Sequence, residues 1–223
     1  MIRAVGLDVD GTLYPNHAMR RRSLLRVLRR LRFFLAYRRV RQELRRRGAV
    51  EDFYGEQARL LGRQLGISPE RARRRIDAYV YRGLSRSVRE LRPYPGLRDF
   101  LGELAERGIP LGLLSDFPFA DKLESLELPA VWQCRICAEE VGALKPNPEA
   151  FRELAACLNC DPSELLYVGN SYHNDVLGAH RAGMQAAHLG SAPSGSPAVV
   201  TFRSYAELME WLRPRLPSSR PPS

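Results

Sequence analysis

Lysine is almost missing from this sequence. Of its 35 basic residues only Lys122 and Lys145 are lysines, and all the others are arginines. A GC-rich genome or adaptation to heat produces such a bias without any local cause, but it means that a lysine at a suggestive position calls for a local reason. Long apolar runs are missing too, and none approaches the ~18–20 residues of a membrane span. The opening MIRAVGLDVDG carries acids at positions 8 and 10, where a secretion signal would be apolar, so the expectation is a cytoplasmic protein. No internal repeat is found. Low complexity is confined to SAPSGSP at 191–197 and PRLPSSRPPS at 214–223, which read as a loop and a frayed tail. What remains, 44% hydrophobic and 27% charged over 223 residues, is enough to bury a core and excludes global disorder. The length suits one large domain or a domain with an insert.

The charge is unevenly placed. Residues 17–92 hold 23 Arg against 7 acids, a net +16, while the rest of the chain is mildly acidic and brings the total to +10. Such a shift predicts a separate module. Its periodicity is helical: Leu24, Leu28, Leu31 and Leu35 share one face of a helix over 19–47, broad enough to pack within the module. Further helices are predicted at 50–66, from Ser68-Pro69 to about Arg82, and at 84–91. Outside the segment the pattern alternates. Strands are predicted at 3–9, 110–115, 134–138, 165–169, 185–189 and 198–202. Helices are predicted at 97–107, 119–127, 148–158, 174–182 and 204–213. Alternation of this kind predicts an α/β fold whose parallel sheet is covered on both faces, with the ligand outside the carboxyl ends of the strands.

Those strand ends carry the chemistry. Asp8-Val9-Asp10-Gly11-Thr12 follows the first strand, Ser115-Asp116 the second, and Gly169-Asn170 with Asn174-Asp175 the fourth. One of the two lysines stands in Leu144-Lys145-Pro146. An isolated aspartate at a strand end usually caps a turn, and an isolated lysine usually faces water. Four such elements in order point instead to phosphoryl transfer. A carboxylate, Asp8, can attack phosphorus and form an aspartyl-phosphate. A second acid, Asp10, can protonate the leaving oxygen and later deprotonate water, provided that Gly11 opens a turn that brings both acids to one pocket. Carboxylates facing a phosphate need a hard divalent cation, and Mg²⁺ is the expected one. Lys145 adds a compact positive charge, and the Ser115 hydroxyl can hold phosphate oxygens.

On these residues the sequence resembles the haloacid dehalogenase (HAD) superfamily. DVDGTL at 8–13, LLSD at 113–116, LKPNP at 144–148 and VGNSYHND at 168–175 match its four motifs. The resemblance implies a Rossmann-like three-layer core over 1–15 and 93–213, an inserted helical C1 cap over 16–92 and a disordered tail over 214–223. It implies a Mg²⁺-dependent phosphatase, with Asp8 as nucleophile, Asp10 as general acid and base, and Ser115 and Lys145 on the phosphate. Thr12 and Asp116 are expected to bind substrate. Asp8, the Asp10 carbonyl, Asn170 and Asp175 are the expected metal ligands. Asn170 departs from the family, whose fourth motif usually reads Gly-Asp. An amide oxygen carries no charge, so weaker metal binding is expected, with Asp175 contributing directly or through water. Dehalogenases of the family lack the second acid that Asp10 supplies. Phosphonate-cleaving members use a cap lysine, and 17–92 contains none.

Other signals stay open or are set aside. Cys134, Cys137, Cys157 and Cys160 have zinc-site spacing, but a core of this kind spreads them over roughly three strand spacings of ~4.8 Å, so thiols are expected. His17 is read as solvent-facing, His173 as exposed or near the site, and His180 and His188 as structural. The arginines of 19–47 allow three readings: a solvated face, a clamp on an anionic small-molecule substrate, or a surface for nucleic acid or anionic lipid. A phosphomutase, or a binding module with little turnover, remains an alternative to the phosphatase.

Overall fold

The computed structural model describes residues 1–85, 91–129 and 131–217; the side chains at 18–23, 26, 84 and 85 fall outside the description. The chain begins with β1 (Ala4–Leu7) and then leaves the core for a helical insert: α1 (Asn16–Arg29), α2 (Leu31–Arg47), α3 (Phe53–Leu65), α4 (Pro69–Ile76), a π-type turn over Asp77–Tyr81 and α5 (Arg82–Ser85). It returns as α6 (Leu97–Glu106), β2 (Leu111–Ser115), α7 (Ala120–Leu126), β3 (Trp132–Cys137), α8 (Ala138–Val141), α9 (Pro148–Cys157) and β4 (Leu165–Gly169). A second π-type turn, Tyr172–Val176, leads to α10 (Leu177–Arg181), β5 (Gln185–Leu189), β6 (Val200–Phe202) and α11 (Tyr205–Leu212). The six strands are parallel, in the order β3-β2-β1-β4-β5-β6. This is the predicted α/β core with a helical cap inserted after its first strand.

Alternation along the strands divides the core in two. Val5 and Leu7 pack on one face with Phe100, Leu104 and Leu208 of α6 and α11. Ala4 faces the other way, with Phe151 and Leu154 of α9 and Tyr167 of β4. Gly6 lets α9 close on the sheet, because a Cβ there would sit 2.6 Å from Leu154 Cδ2. The second face continues without a break into the cap through Phe33, Val40, Leu44, Phe53 and Ile76. The cap is therefore packed onto the core, not tethered to it.

The cap differs from the sequence reading in its first helix. The helix expected over 19–47 is broken at Arg30 (φ −129°, ψ 33°). Helix α2 then buries Phe33, Ala36, Tyr37, Val40 and Leu44, a face with two aromatic rings that removes more apolar area from water than leucines alone. At about 100° per residue the leucine stripe lies on the opposite side. Leu31 and Leu35 are accordingly 48% and 45% exposed, and Leu24 and Leu28, on α1 beyond the break, are each 55% exposed, so the stripe expected to pack in the cap faces outward. The helix predicted from Ser68-Pro69 to about Arg82 is present as one unbroken helical run, α4, a π-type turn over Asp77–Tyr81 and α5, reaching Ser85. The helix predicted at 84–91 falls largely on residues 86–90, which lie outside the described residues. At the other end the chain is held further than predicted. Ile2 N–H donates to the Arg215 carbonyl at 2.8 Å and Leu216 is buried; the rest of the predicted tail, 218–223, is outside the described residues.

The cysteines also correct the sequence reading. Cys134 and Cys157 form a disulfide, with Cα atoms 6.0 Å apart. Distances measured along the sheet missed it because Cys157 ends α9, which crosses the face of the sheet and contacts both β2 and β3. Cys137 and Cys160 remain thiols, as expected. Among the described residues no group of three or more His, Cys, Asp or Glu side chains could hold a metal, and none of the helices is long and apolar enough to cross a membrane.

Candidate active site

The carboxyl ends of β1, β2 and β4 meet at one edge of the sheet. Asp8 follows β1 directly and is 5% exposed. Its N–H donates to the Val168 carbonyl of β4 at 2.9 Å. Each carboxylate oxygen has one donor: Lys145 Nζ at 2.7 Å from Oδ1 and the Thr12 hydroxyl at 2.9 Å from Oδ2. Burial pushes the Asp8 carboxyl up to about 7, with the nearby Asp175 adding to the effect and Lys145 opposing it. Thr12, expected against substrate, is wholly buried, and its hydroxyl lies between Asp8 and Asn170 Oδ1, 3.4 Å away. Gly11 (φ +95°) makes the turn after Asp10 in a region that suits glycine.

Lys145 is the centre of the cluster. Besides Asp8, its ammonium donates to Asp175 Oδ1 at 2.6 Å and the Tyr167 hydroxyl at 3.1 Å. Burial favours the neutral amine, but Asp175 and Asp8 outweigh it, so the group sits well above the usual lysine range. Asp175 Oδ2 accepts the Ser171 N–H at 2.8 Å. Asp175 thus holds Lys145 beside Asp8 through one oxygen and the Ser171 N–H through the other. Ser115 ends β2 and is almost fully buried, its Oγ accepting the Phe117 N–H at 3.3 Å.

Asp116 is held as a junction and does not stand open to substrate. Its Oδ1 accepts the Lys145 N–H at 3.0 Å, and its Oδ2 accepts from Arg45 Nη2 at 2.6 Å. Arg41 Nη2 lies 3.4 Å from the same oxygen. Burial would raise this carboxyl, but Arg41, Arg45 and Lys145 prevail and hold it below its ordinary value. Arg41 also pairs with the buried Glu139. Arg45 Nε donates to the Lys145 carbonyl at 2.8 Å. Two arginines of α2 thus enter the site, while Arg29, Arg32, Arg38, Arg39, Arg46 and Arg47 are exposed.

Asp10 lies beside a group the sequence reading missed. Lys122 Nζ is 2.6 and 2.7 Å from its two carboxylate oxygens, and the Tyr14 hydroxyl donates to Oδ1. Both lysines of the chain are therefore in this site. The scarcity that singled out Lys145 applied equally to Lys122. No comparable signal separated Arg41 and Arg45 from the arginines around them. Of the histidines, His17, His173 and His180 are exposed, so the structural role expected of His180 has no packing behind it. His188 is buried, with Nε2 3.2 Å from the Asn170 carbonyl.

The oxygens around Gly11 suit a hard cation. The Asp10 carbonyl accepts from Asn16 Nδ2 at 2.9 Å, while Asn16 Oδ1 is buried without a hydrogen-bond partner. The amide nitrogens of Asn16 and Asn170 both come within 2.4 Å of where a Gly11 Cβ would stand. The Asp8 carboxylate, the Asp10 carbonyl and the Asn170 amide oxygen are oxygen donors, the type that Mg²⁺ takes, and the first and last share the Thr12 hydroxyl. Most of that group is carbonyl or amide, which is why no cluster of acids marks it.

Comparison with known proteins identifies the family. The haloacid dehalogenase-like hydrolase family matches residues 2–183. A glyceraldehyde 3-phosphate phosphatase of Methanopyrus kandleri is 33% identical over 195 residues, covering 82% of each chain. A HAD phosphatase from Thermococcus onnurineus superposes with a TM-score of 0.63 at 23% identity, over 95% of this chain and 98% of that one. A 2-haloacid dehalogenase from Pseudomonas syringae pv. Tomato DC3000 gives 0.67 at 22%, over 96% and 100%. At those identities the two structures speak for the fold alone. The chain belongs to the haloacid dehalogenase-like hydrolases, as a hydrolase of the phosphatase type.

Proposed function

We propose that this protein hydrolyses a small-molecule phosphomonoester in the presence of Mg²⁺, through an aspartyl-phosphate on Asp8. The observation that carries the reading is the pair of acids after β1: a buried Asp8 oriented by Lys145 and Thr12, with Asp10 two residues on. In the first step an Asp8 oxygen attacks phosphorus and the ester P–O bond breaks, with Asp10 giving its proton to the departing oxygen. In the second, Asp10 takes a proton from water, which attacks phosphorus and returns Asp8 as a carboxylate with inorganic phosphate. Asp10 has to turn from Lys122 toward the leaving oxygen for this. Lys145 offsets the charge on Asp8 and on the phosphate. Asp8, the Asp10 carbonyl and Asn170 would hold Mg²⁺, which when bound offsets the negative charge of the phosphate.

The test is phosphate release from a panel of phosphomonoesters with and without Mg²⁺. Glyceraldehyde 3-phosphate belongs in the panel because a relative is named for it. Mg²⁺-dependent release is the expected result; folded protein that releases none from any ester would sink the reading, and phosphate returned to the same substrate would identify a mutase. Asn170 makes a separate prediction. Restoring a charged ligand with Asn170→Asp should lower the Mg²⁺ concentration for half-maximal release by about tenfold. An unchanged Mg²⁺ titration would remove Asn170 from the metal site.

A further inference from the structure

Between α2 and the core loops lies a cleft of about 710 Å³. Arg38, Arg45 and Arg46 line its cap side, and Arg181 and His173 its core side. No carboxylate is among its described lining residues. Arg45 already has partners in Asp116 and the Lys145 carbonyl. The side chains of Arg38, Arg46 and Arg181 make no hydrogen bond, ion pair or ring contact with any described residue. Arg39 and Arg63 are likewise exposed and unpartnered elsewhere in the cap, so what sets Arg38, Arg46 and Arg181 apart is that they share one concavity. Three guanidinium groups without partners around one concavity create a positive potential that draws in anions. Their planar forks suit phosphate or carboxylate oxygens.

The cleft also borders two of the loops that carry the site. Pro146 and Asn174, both in its lining, are the chain neighbours of Lys145 and Asp175, the pair that meets beside Asp8. We infer that the cleft holds a second anionic group of the substrate, a carboxylate or a second phosphate, on Arg38, Arg46 and Arg181. The inference rests on the phosphatase reading and narrows it: substrates with a charged tail are preferred over those, such as glyceraldehyde 3-phosphate, whose tail is neutral.

The experiment compares kcat/KM for four esters: p-nitrophenyl phosphate and glyceraldehyde 3-phosphate, with uncharged tails, phosphoglycolate, with a carboxylate, and fructose 1,6-bisphosphate, with a phosphate. The wild type should favour at least one charged-tail ester over glyceraldehyde 3-phosphate by about tenfold or more. The Arg38→Gln/Arg46→Gln double variant and Arg181→Gln should each reduce that ratio by about 10- to 100-fold, mainly through KM. Arg152→Gln, on an exposed arginine of α9 outside the cleft, should leave it unmoved. The better of the two charged-tail esters decides between carboxylate and phosphate. A wild-type ratio near one, or a ratio that the cleft variants do not change, overturns the inference while p-nitrophenyl phosphate turnover keeps the phosphatase reading standing. Absence of turnover on all four esters, p-nitrophenyl phosphate included, overturns both.

Discussion

Asp8→Asn should release no measurable phosphate from esters that the wild type cleaves, a loss of at least about 10⁴-fold. The substitution keeps the size and the acceptor oxygen but removes the anionic nucleophile, and an amide does not form the acyl-phosphate. The fold should survive. Lys145 would keep Asp175 and the Tyr167 hydroxyl as partners, and burial already disfavours the charged form of Asp8. Thermal unfolding measured beside the assay separates the two effects. Asp10→Asn provides the contrast, with a loss of about 10²–10⁴-fold that grows as the leaving group becomes poorer. Substantial turnover by folded Asp8→Asn protein would disprove the covalent mechanism.

Arg41→Met should cost about 3–5 kcal/mol of folding stability, read as a lower denaturation midpoint. Arg41 and Glu139 have side chains only 4% and 0% exposed. Removing the cation leaves Glu139 buried with the Tyr81 hydroxyl, 2.9 Å away, as its main remaining partner. Burial already holds the Glu139 carboxyl above its ordinary value against the pull of Arg41, and without Arg41 it rises further. A carboxyl raised on folding binds more protons in the native state than in the unfolded one. Stability is then lost as pH rises through the interval between the two values and regained as pH falls. The gap between wild type and Arg41→Met should therefore narrow toward acid pH. Arg41→Met/Glu139→Gln should recover most of the loss, since the amide carries no charge and its oxygen still accepts from Tyr81. A loss that neither pH nor the second substitution relieves would mean that Arg41 acts through packing alone.

The core was legible because its signals are local. β4 and β5 have the limits read from the sequence, Leu165–Gly169 and Gln185–Leu189, since each is a short apolar run bounded by turns. The residues at the strand ends could be placed because a parallel sheet brings successive carboxyl ends to one edge. The cap was less legible because α2 has two apolar faces, and periodicity alone could not say which would be buried. Leu31 and Leu35 formed the more regular stripe, yet the face with Phe33 and Tyr37 is the one that packs. The helix expected from residue 174 begins instead with the π-type turn at Tyr172, where the Ser171 side chain accepts from Asn174 N–H. The disulfide, Lys122–Asp10 and Arg45–Asp116 join residues 23, 112 and 71 positions apart. Pairings at such separations are set by tertiary packing and leave no local trace.

The contact between Arg45 and Asp116 has a consequence for any assay of this protein. Asp116 is an anion that the chain carries with it, tethered opposite the guanidinium beside the catalytic loops. A tethered group acts at an effective concentration on the order of millimolar or more. An incoming anion that seeks Arg45 must displace a resident competitor. Weakly bound buffer ions, sulfate or chloride at ordinary concentrations, should fail to do so. Inhibition by simple salts acting at Arg45 should accordingly be slight, and ligands that engage Arg45 should owe their selectivity to what they gain elsewhere when they take the place of Asp116.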